Sequence, residues 1–136
     1  MSRLYLLDTN IVSDLVRNPF GIIRQHVDHV GPANVFTSVI VASELHFGVA
    51  KMTSQKLRRR VLEAFEFVPV KPLPIEVAEF YGSLRADLEL RGLPIGGNDM
   101  WIAAHALAED AVLVSNNVRE FSRVGGLKVE NWMQAS

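Results

Sequence analysis

The sequence predicts an α/β protein in which a central, mainly parallel sheet is flanked by helices. Short, largely apolar runs recur along the chain, and segments with apolar residues at helical spacing separate them. Strands that alternate with helices in this way pair in parallel through right-handed crossovers. At 136 residues, 49% of them hydrophobic, the chain is expected to form a single domain over residues 1–136.

Five strands are predicted, at residues 4–7, 35–37, 67–70, 111–114 and 127–129. The first and fourth are continuous apolar runs, which are typical of strands buried on both faces of a parallel sheet. The third contains Pro69, which predicts a short strand or one at an edge of the sheet. The last is weakly patterned, and Trp132 beyond it is expected to pack on the core.

Helices are predicted between the strands, at residues 11–17, 21–30, 39–51, 53–66, 75–91 and from 99 to about 110. Ser38 is expected to cap the third helix, and Gly92 to end the fifth. Asn98 is expected to cap the last helix. That cap would place Asp99 in the first turn, where backbone N–H groups favour a carboxylate.

The composition narrows the possible functions. The chain has no cysteine, which excludes disulfides and thiolate metal sites, and its net charge of −1 gives no overall attraction to nucleic acid. No apolar run is long enough to span a membrane, and the start reaches a charged residue too early for a signal peptide. We therefore expect a cytoplasmic protein with no membrane partner.

Two local features have more than one interpretation. The basic run Arg58, Arg59 and Arg60 is either a solvated helix face or a contact for phosphate or an acidic partner. His26 and His29 lie three positions apart on a predicted helix. Because no third metal ligand accompanies them, they are interpreted as ordinary helix histidines.

Polar residues gather at one edge of the predicted sheet. Asp8 and Asn117 follow strands, so both lie at the carboxyl edge, where open α/β sheets bind ligands. Glu44 and Asp99 lie near the starts of helices that the crossovers bring to the same edge. Taken singly, each acid could be a helix cap or a solvated acid. Together they would repel one another unless a cation neutralises them, and oxygen ligands favour Mg²⁺ or Mn²⁺.

Four motifs resemble, in order and spacing, those of the PIN domain of VapC toxins: LLDTN at 6–10, ASELHFG at 42–48, GNDMWIAAHA at 97–106 and VSNNVREF at 114–121. The resemblance covers essentially the whole chain. It implies a three-layer PIN-like fold and a Mg²⁺-dependent endoribonuclease toxin, with Mn²⁺ as a possible substitute. It also implies a VapB-like antitoxin as partner, a homodimer, and contact with operator DNA only through the antitoxin.

The resemblance assigns roles by position. Asp8, Glu44 and Asp99 match the three catalytic acids of the family, and Asp8 and Asp99 match its usual metal ligands. Asn117 stands where many PIN domains have a fourth acid, which lowers the charge of the site. Glu120, one turn further on, is a candidate to replace part of that missing carboxylate. Two more candidates, near enough to Asp8 in sequence to hold the scissile phosphate, are Thr9 and Asn10.

The implied reaction is hydrolysis of an RNA phosphodiester by water, leaving a 5′-phosphate and a 3′-hydroxyl. The resemblance extends to toxins that cut tRNA, and the expected target is the anticodon loop of initiator tRNA. One alternative is a non-catalytic PIN module that acts with an antitoxin as a DNA-binding repressor complex. Another, a phosphatase of the haloacid dehalogenase type, is disfavoured because its chemistry needs an aspartate where Asn10 stands.

Overall fold

A five-stranded sheet in the order β3-β2-β1-β4-β5 forms the centre of the computed structural model, which describes residues 3–133. All four strand pairings are parallel, so the predicted α/β class is confirmed. Residues 1, 2 and 134–136 of the predicted domain lie outside the described residues. The strands are β1 Leu4–Leu7, β2 Val35–Ser38, β3 Val70–Lys71, β4 Ala111–Val114 and β5 Val129–Glu130.

Helices flank the sheet. They are α1 Thr9–Arg17, α2 Ile22–Val30, α3 Val39–Ala50, α4 Gln55–Phe67, α5 Val77–Arg91, α6 Gly97–Ala108 and α7 Val118–Phe121. Helix α1 contacts α2, α3 and α4, while α5 packs along α6. Among the described residues, no helix is long and apolar enough to cross a bilayer.

Strands β1 and β4 lie side by side at the centre, and both are rich in fully buried aliphatic side chains. Removing this apolar surface from water is the main stabilising contribution to such a sheet. Trp132 is buried, as predicted, and its ring stacks on His26 with centroids 5.1 Å apart. His26 therefore has a packing role against the end of the chain.

Several element ends differ from the sequence predictions. Helix α1 begins at Thr9, two residues earlier than predicted, because the Asp8 side chain accepts a hydrogen bond from the Thr9 N–H and caps it. The prediction that Asn98 caps the Asp99 helix is wrong, since Gly96 is the N-cap and Asn98 is the second helical residue. Asp99 nevertheless lies in the first turn, as expected.

The two weakest strands are shorter than predicted. The segment predicted as 67–70 is a strand only at Val70–Lys71, because Phe67 ends α4. It pairs only with β2 and lies at an edge, as its proline predicted. The segment predicted as 127–129 is a strand at Val129–Glu130.

Candidate active site

Asp8 is fixed at the carboxyl end of the central strand. Its backbone N–H donates to the Val114 carbonyl at 2.9 Å, which continues the pairing with β4. Oδ1 accepts from the Thr9 N–H at 2.7 Å, and Oδ2 accepts from the Ser115 hydroxyl at 2.8 Å. Burial raises the pKa of Asp8, the bonds from Ser115 and Thr9 lower it, and the Glu120 charge raises it. Asp8 is thus both a helix cap and an oriented carboxylate.

Asp99 brings a second carboxylate to this edge from α6. Burial is the main cause that raises its pKa to about 6, followed by the negative charges of Asp8, Glu120 and Glu44. Within residues 3–133, none of the ion pairs involves any of these four acids. The structure therefore groups acids from four parts of the chain without a basic partner.

Glu44 lies in the second turn of α3, beside Thr9 and Asn98. The pKa of Glu44 is raised, and burial is the largest cause. The Asp8 charge also raises it, while the contacts with Thr9 and Asn98 lower it. The Thr9 hydroxyl is itself buried without a hydrogen bond of normal geometry. Asn98, predicted as a helix cap, instead lies beside a candidate catalytic acid, which the helix-capping pattern could not indicate.

Glu120 lies on the short helix α7, and both of its carboxylate oxygens accept hydrogen bonds. Oε1 accepts from the Gly96 N–H at 3.0 Å, and Oε2 accepts from the Asn117 side-chain amide. Asn117 is therefore turned towards Glu120. The Asn10 amide donates to Asn116 Oδ1 at 3.2 Å on the exposed rim.

Sequence reasoning singled out neither Ser115 nor Gly96 as a site residue. Ser115 is fully buried, and its hydroxyl also accepts a hydrogen bond from the Asn117 N–H at 3.0 Å. The only sequence signal was its position directly after β4, inside a family motif. Gly96 gave a weaker signal, because a loop glycine by itself indicates only a turn.

The chemistry of these donors fits a hard divalent cation. All are oxygens. Burial and then the neighbouring negative charges raise the pKa of Asp99, and a bound cation would neutralise those charges. In the described part of the chain, no three His, Cys, Asp or Glu side chains are placed to share one ion as they stand. Mg²⁺ does not require three, because it keeps several waters and binds through one or two carboxylates.

An apolar groove of about 660 Å³ leads into the acidic edge. It lies against α1, α3 and α4, and Thr9, Glu44 and Asn98 form part of its wall. Phe47 is 64% exposed there and presents apolar surface to the groove. The apolar lining residues are Val16, Leu45, Phe47, Val49, Met52, Leu57 and Val61.

Comparison with known proteins agrees with the fold and the motifs. A PIN domain family profile matches residues 5–127. The chain is 36% identical over 131 residues to Ribonuclease VapC2 of Rickettsia felis, covering 95% of this chain and 98% of that one. It is 33% identical over 129 residues to the tRNA(fMet)-specific endonuclease VapC of Shigella flexneri, covering 94% of this chain and 97% of that one.

Solved structures give the same result. The Rickettsia felis VapBC2 complex bound to a promoter DNA fragment matches with a TM-score of 0.89 at 34% identity, covering 95% of this chain and 98% of that one. VapBC-1 from nontypeable Haemophilus influenzae matches with a TM-score of 0.87 at 34% identity, covering 96% of this chain and 99% of that one.

Proposed function

The chain belongs to the PIN-domain family of VapC toxin ribonucleases, and from that premise we propose that it hydrolyses RNA with a Mg²⁺ ion held by Asp8 and Asp99. Glu44 is the third catalytic acid of this proposal. The proposal treats the chain as one PIN domain. It places the protein in the cytoplasm, where its RNA substrate is found.

The observation that carries the proposal is the state of Asp99. Its pKa is raised to about 6 by burial and by three neighbouring acids. Unpaired acids held close together destabilise a fold, and proteins concentrate such perturbed groups at functional sites. A cation-binding site accounts for this arrangement, because the bound charge removes the repulsion.

Each site residue has its own role in the proposed hydrolysis. Asp8 needs no reorientation to bind, because Ser115 and the Thr9 N–H already fix both its oxygens. Glu44 orients a water for in-line attack and accepts its proton, and its raised pKa suits a base at neutral pH. Thr9 and Asn10 are secondary candidates for contacts with the phosphate, and Asn117 is a secondary candidate at the position of the fourth acid. The cation, when bound, stabilises charge on the phosphoryl oxygen and makes water a stronger nucleophile.

We propose tRNA as the substrate, with the anticodon loop of initiator tRNA as the specific target. Two relatives support this, the VapC enzymes of Shigella flexneri and Salmonella typhimurium, which are named tRNA(fMet)-specific and are 33% and 32% identical to this chain. The protein has a net charge of −1, so a local basic surface must attract the RNA. The exposed run Arg58, Arg59 and Arg60 on α4 is one such surface.

We propose that an antitoxin of the VapB type covers the groove beside the site. The Rickettsia felis and Haemophilus influenzae structures are of VapBC complexes, and the former is bound to promoter DNA. The groove offers apolar surface for a partner helix, and the acids at its end suit an arginine from the partner. In this proposal the toxin is a homodimer and meets operator DNA only through the antitoxin.

Incubation of the purified protein with total RNA tests the proposal. We expect cleavage in Mg²⁺ or Mn²⁺, loss of cleavage in EDTA, and loss of cleavage in the antitoxin complex. Cleavage that continues in EDTA would contradict the metal assignment. A protein that leaves RNA intact with either metal, yet binds operator DNA with its antitoxin, would be the non-catalytic module instead.

A further inference from the structure

The start of helix α6 has an unusual hydrogen-bond arrangement. Gly96 is the N-cap, and Asp99 is the third helical residue. In a capping box the acidic side chain at this third position reaches back and accepts a hydrogen bond from the N-cap N–H. Here the Gly96 N–H donates instead to Glu120 Oε1 at 3.0 Å, from a helix 24 residues further along the chain.

Asp99 is close enough to compete for that N–H. A Cβ atom added to Gly96 would lie 3.2 Å from Asp99 Oδ2, so the carboxylate stands beside the N-cap residue. Among residues 3–133, no hydrogen bond to the Asp99 carboxylate is formed. Two carboxylates thus lie beside one backbone N–H, and Glu120 alone accepts from it.

Glu120 is itself held in place from two sides. The Asn117 side-chain amide donates to its second oxygen, Oε2. The next residue, Phe121, is fully buried and anchors α7 to the core. The Glu120 carboxylate thus bridges the N-cap of α6 and the Asn117 amide, and each of its oxygens has its own donor.

We propose that Glu120 is a positioning residue that occupies the helix N-cap N–H and so keeps the Asp99 carboxylate free to bind the metal. Asn117 holds Glu120 in that position, which gives the amide a role that a fourth acid could not have, since two carboxylates in contact would repel. The inference rests on the proposed function, because it takes Asp99 as a metal ligand. It deepens that function by assigning Glu120 a task other than ligation.

Two conservative variants separate the hydrogen bond from the charge. Glu120→Gln loses the charge and keeps an oxygen that can accept from the Gly96 N–H, while Asn117 can turn its amide to match. Glu120→Asp keeps the charge, but its side chain is one methylene shorter and cannot bridge Gly96 and Asn117. If Glu120 acted by its charge or as a ligand, Glu120→Asp would reduce Mn²⁺ affinity less than Glu120→Gln. If it acts by the hydrogen bond to Gly96, Glu120→Gln reduces Mn²⁺ affinity less than Glu120→Asp.

The experiment is calorimetric titration of the full chain with Mn²⁺, with crystal structures of both metal-free variants. We expect Glu120→Asp to weaken Mn²⁺ binding by about tenfold, the usual effect of losing a group that orients a ligand, and Glu120→Gln to stay within about threefold of wild type. In the Glu120→Asp structure, Asp99 should accept from the Gly96 N–H. Arg119→Ala, at an exposed neighbouring position on α7, is the control and should leave affinity unchanged.

The opposite order of affinities, or an Asp99 carboxylate that stays in place in the Glu120→Asp structure, would overturn the inference. The proposed function fails separately, if the wild-type protein binds no Mn²⁺ and cleaves no RNA. In that event the crystal structures still decide whether Glu120 keeps Asp99 from the helix N-cap.

Discussion

The Ser115 hydroxyl donates to Asp8 Oδ2 at 2.8 Å, a fully buried hydrogen bond between residues 107 positions apart. It joins the end of β4 to the end of β1 at the acidic edge of the sheet. The bond stabilises the ionised form of Asp8, since it lowers a pKa that burial raises. It therefore couples the charge state of a candidate metal ligand to the pairing of the two central strands.

Replacing Ser115 by alanine should raise the pKa of Asp8 further and weaken the fold. Leaving Asp8 Oδ2 without this donor is expected to cost about 1–3 kcal/mol of unfolding free energy. The acidic limb of the cleavage rate against pH should move to higher pH. Urea unfolding and a pH–rate profile measure the two effects. Ser43→Ala, which removes an exposed hydroxyl bonded within its own helix, is the control.

Asp99→Asn should abolish Mg²⁺-dependent RNA cleavage and keep the fold. A neutral amide is a poorer ligand for a hard cation than a carboxylate. Cleavage of RNA by equal amounts of folded protein, checked by circular dichroism, measures the loss. Asp87→Asn, at an exposed acid paired with Arg91 on α5, should cleave at the wild-type rate. An active Asp99→Asn protein would show that the metal ligand is wrongly assigned.

The same variant should stabilise the metal-free protein at neutral pH. The folded-state pKa of Asp99 is about 6 against an ordinary value of 3.8, so the folded state holds this proton more tightly. Below pH 3.8 the group is protonated in both states and has no effect. As pH rises from about 4 to 6, Asp99 ionises in the unfolded state before it ionises in the folded state. The free energy of unfolding therefore falls over this range and stays lower above pH 6.

Solvent screening reduces the expected gain for Asp99→Asn at pH 7 to about 1–2 kcal/mol. Urea unfolding in EDTA at several pH values measures it. Titrating groups away from the acidic edge, such as the buried His105, whose pKa burial lowers, affect both proteins alike and cancel in the difference. The prediction would be contradicted if the free energies of unfolding of the two proteins differed by the same amount at every pH. Added Mg²⁺ should stabilise the wild type more than the variant.

We expect one Mn²⁺ ion per chain in the absence of RNA. Two ions need several negative ligands between them. Asn117 supplies no charge, and in the arrangement inferred above Glu120 positions Asp99 instead of binding the ion, so Asp8, Glu44 and Asp99 remain. Calorimetric titration gives the stoichiometry, and Asp99→Asn should remove the binding signal. Two tight ions in the unmodified protein would refute the one-metal interpretation.

Phe47→Glu should prevent antitoxin binding without loss of RNA cleavage by the free toxin. The side chain is 64% exposed in the apolar groove, where a charge would be buried by a partner at high cost. Co-purification with the antitoxin measures binding. Leu90→Glu is the control, because Leu90 is 88% exposed on α5 and does not line the groove. Equal co-purification of both variants would place the antitoxin elsewhere.

The sequence predicted the parts of the fold that depend on local patterns. Alternating apolar runs and helical segments predicted the parallel sheet. The strand end at Asp8 and the helix starts near Glu44 and Asp99 predicted that these three acids would meet at one edge. Those three acids do influence one another in the structure. Their catalytic roles remain a proposal.

Long-range contacts account for what the sequence did not predict. Asn98 is a better helix cap than glycine by intrinsic preference, yet α6 begins two residues earlier, with the Gly96 N–H bonded to Glu120. The bond from Ser115 to Asp8 also depends on strand order, because the fourth strand in sequence pairs with the first. Side-chain hydrogen bonds across such distances have no local signature.

The central position of β1 has a consequence for synthesis on the ribosome. Asp8 is translated more than 100 residues before β4, Ser115 and Glu120. Parallel pairing over such a separation cannot form until both strands have emerged, since nascent chains fold from the N-terminal side as they grow. A translation product that stops before β4 therefore lacks the complete acidic edge. The candidate site can therefore assemble only after nearly the whole domain has been made.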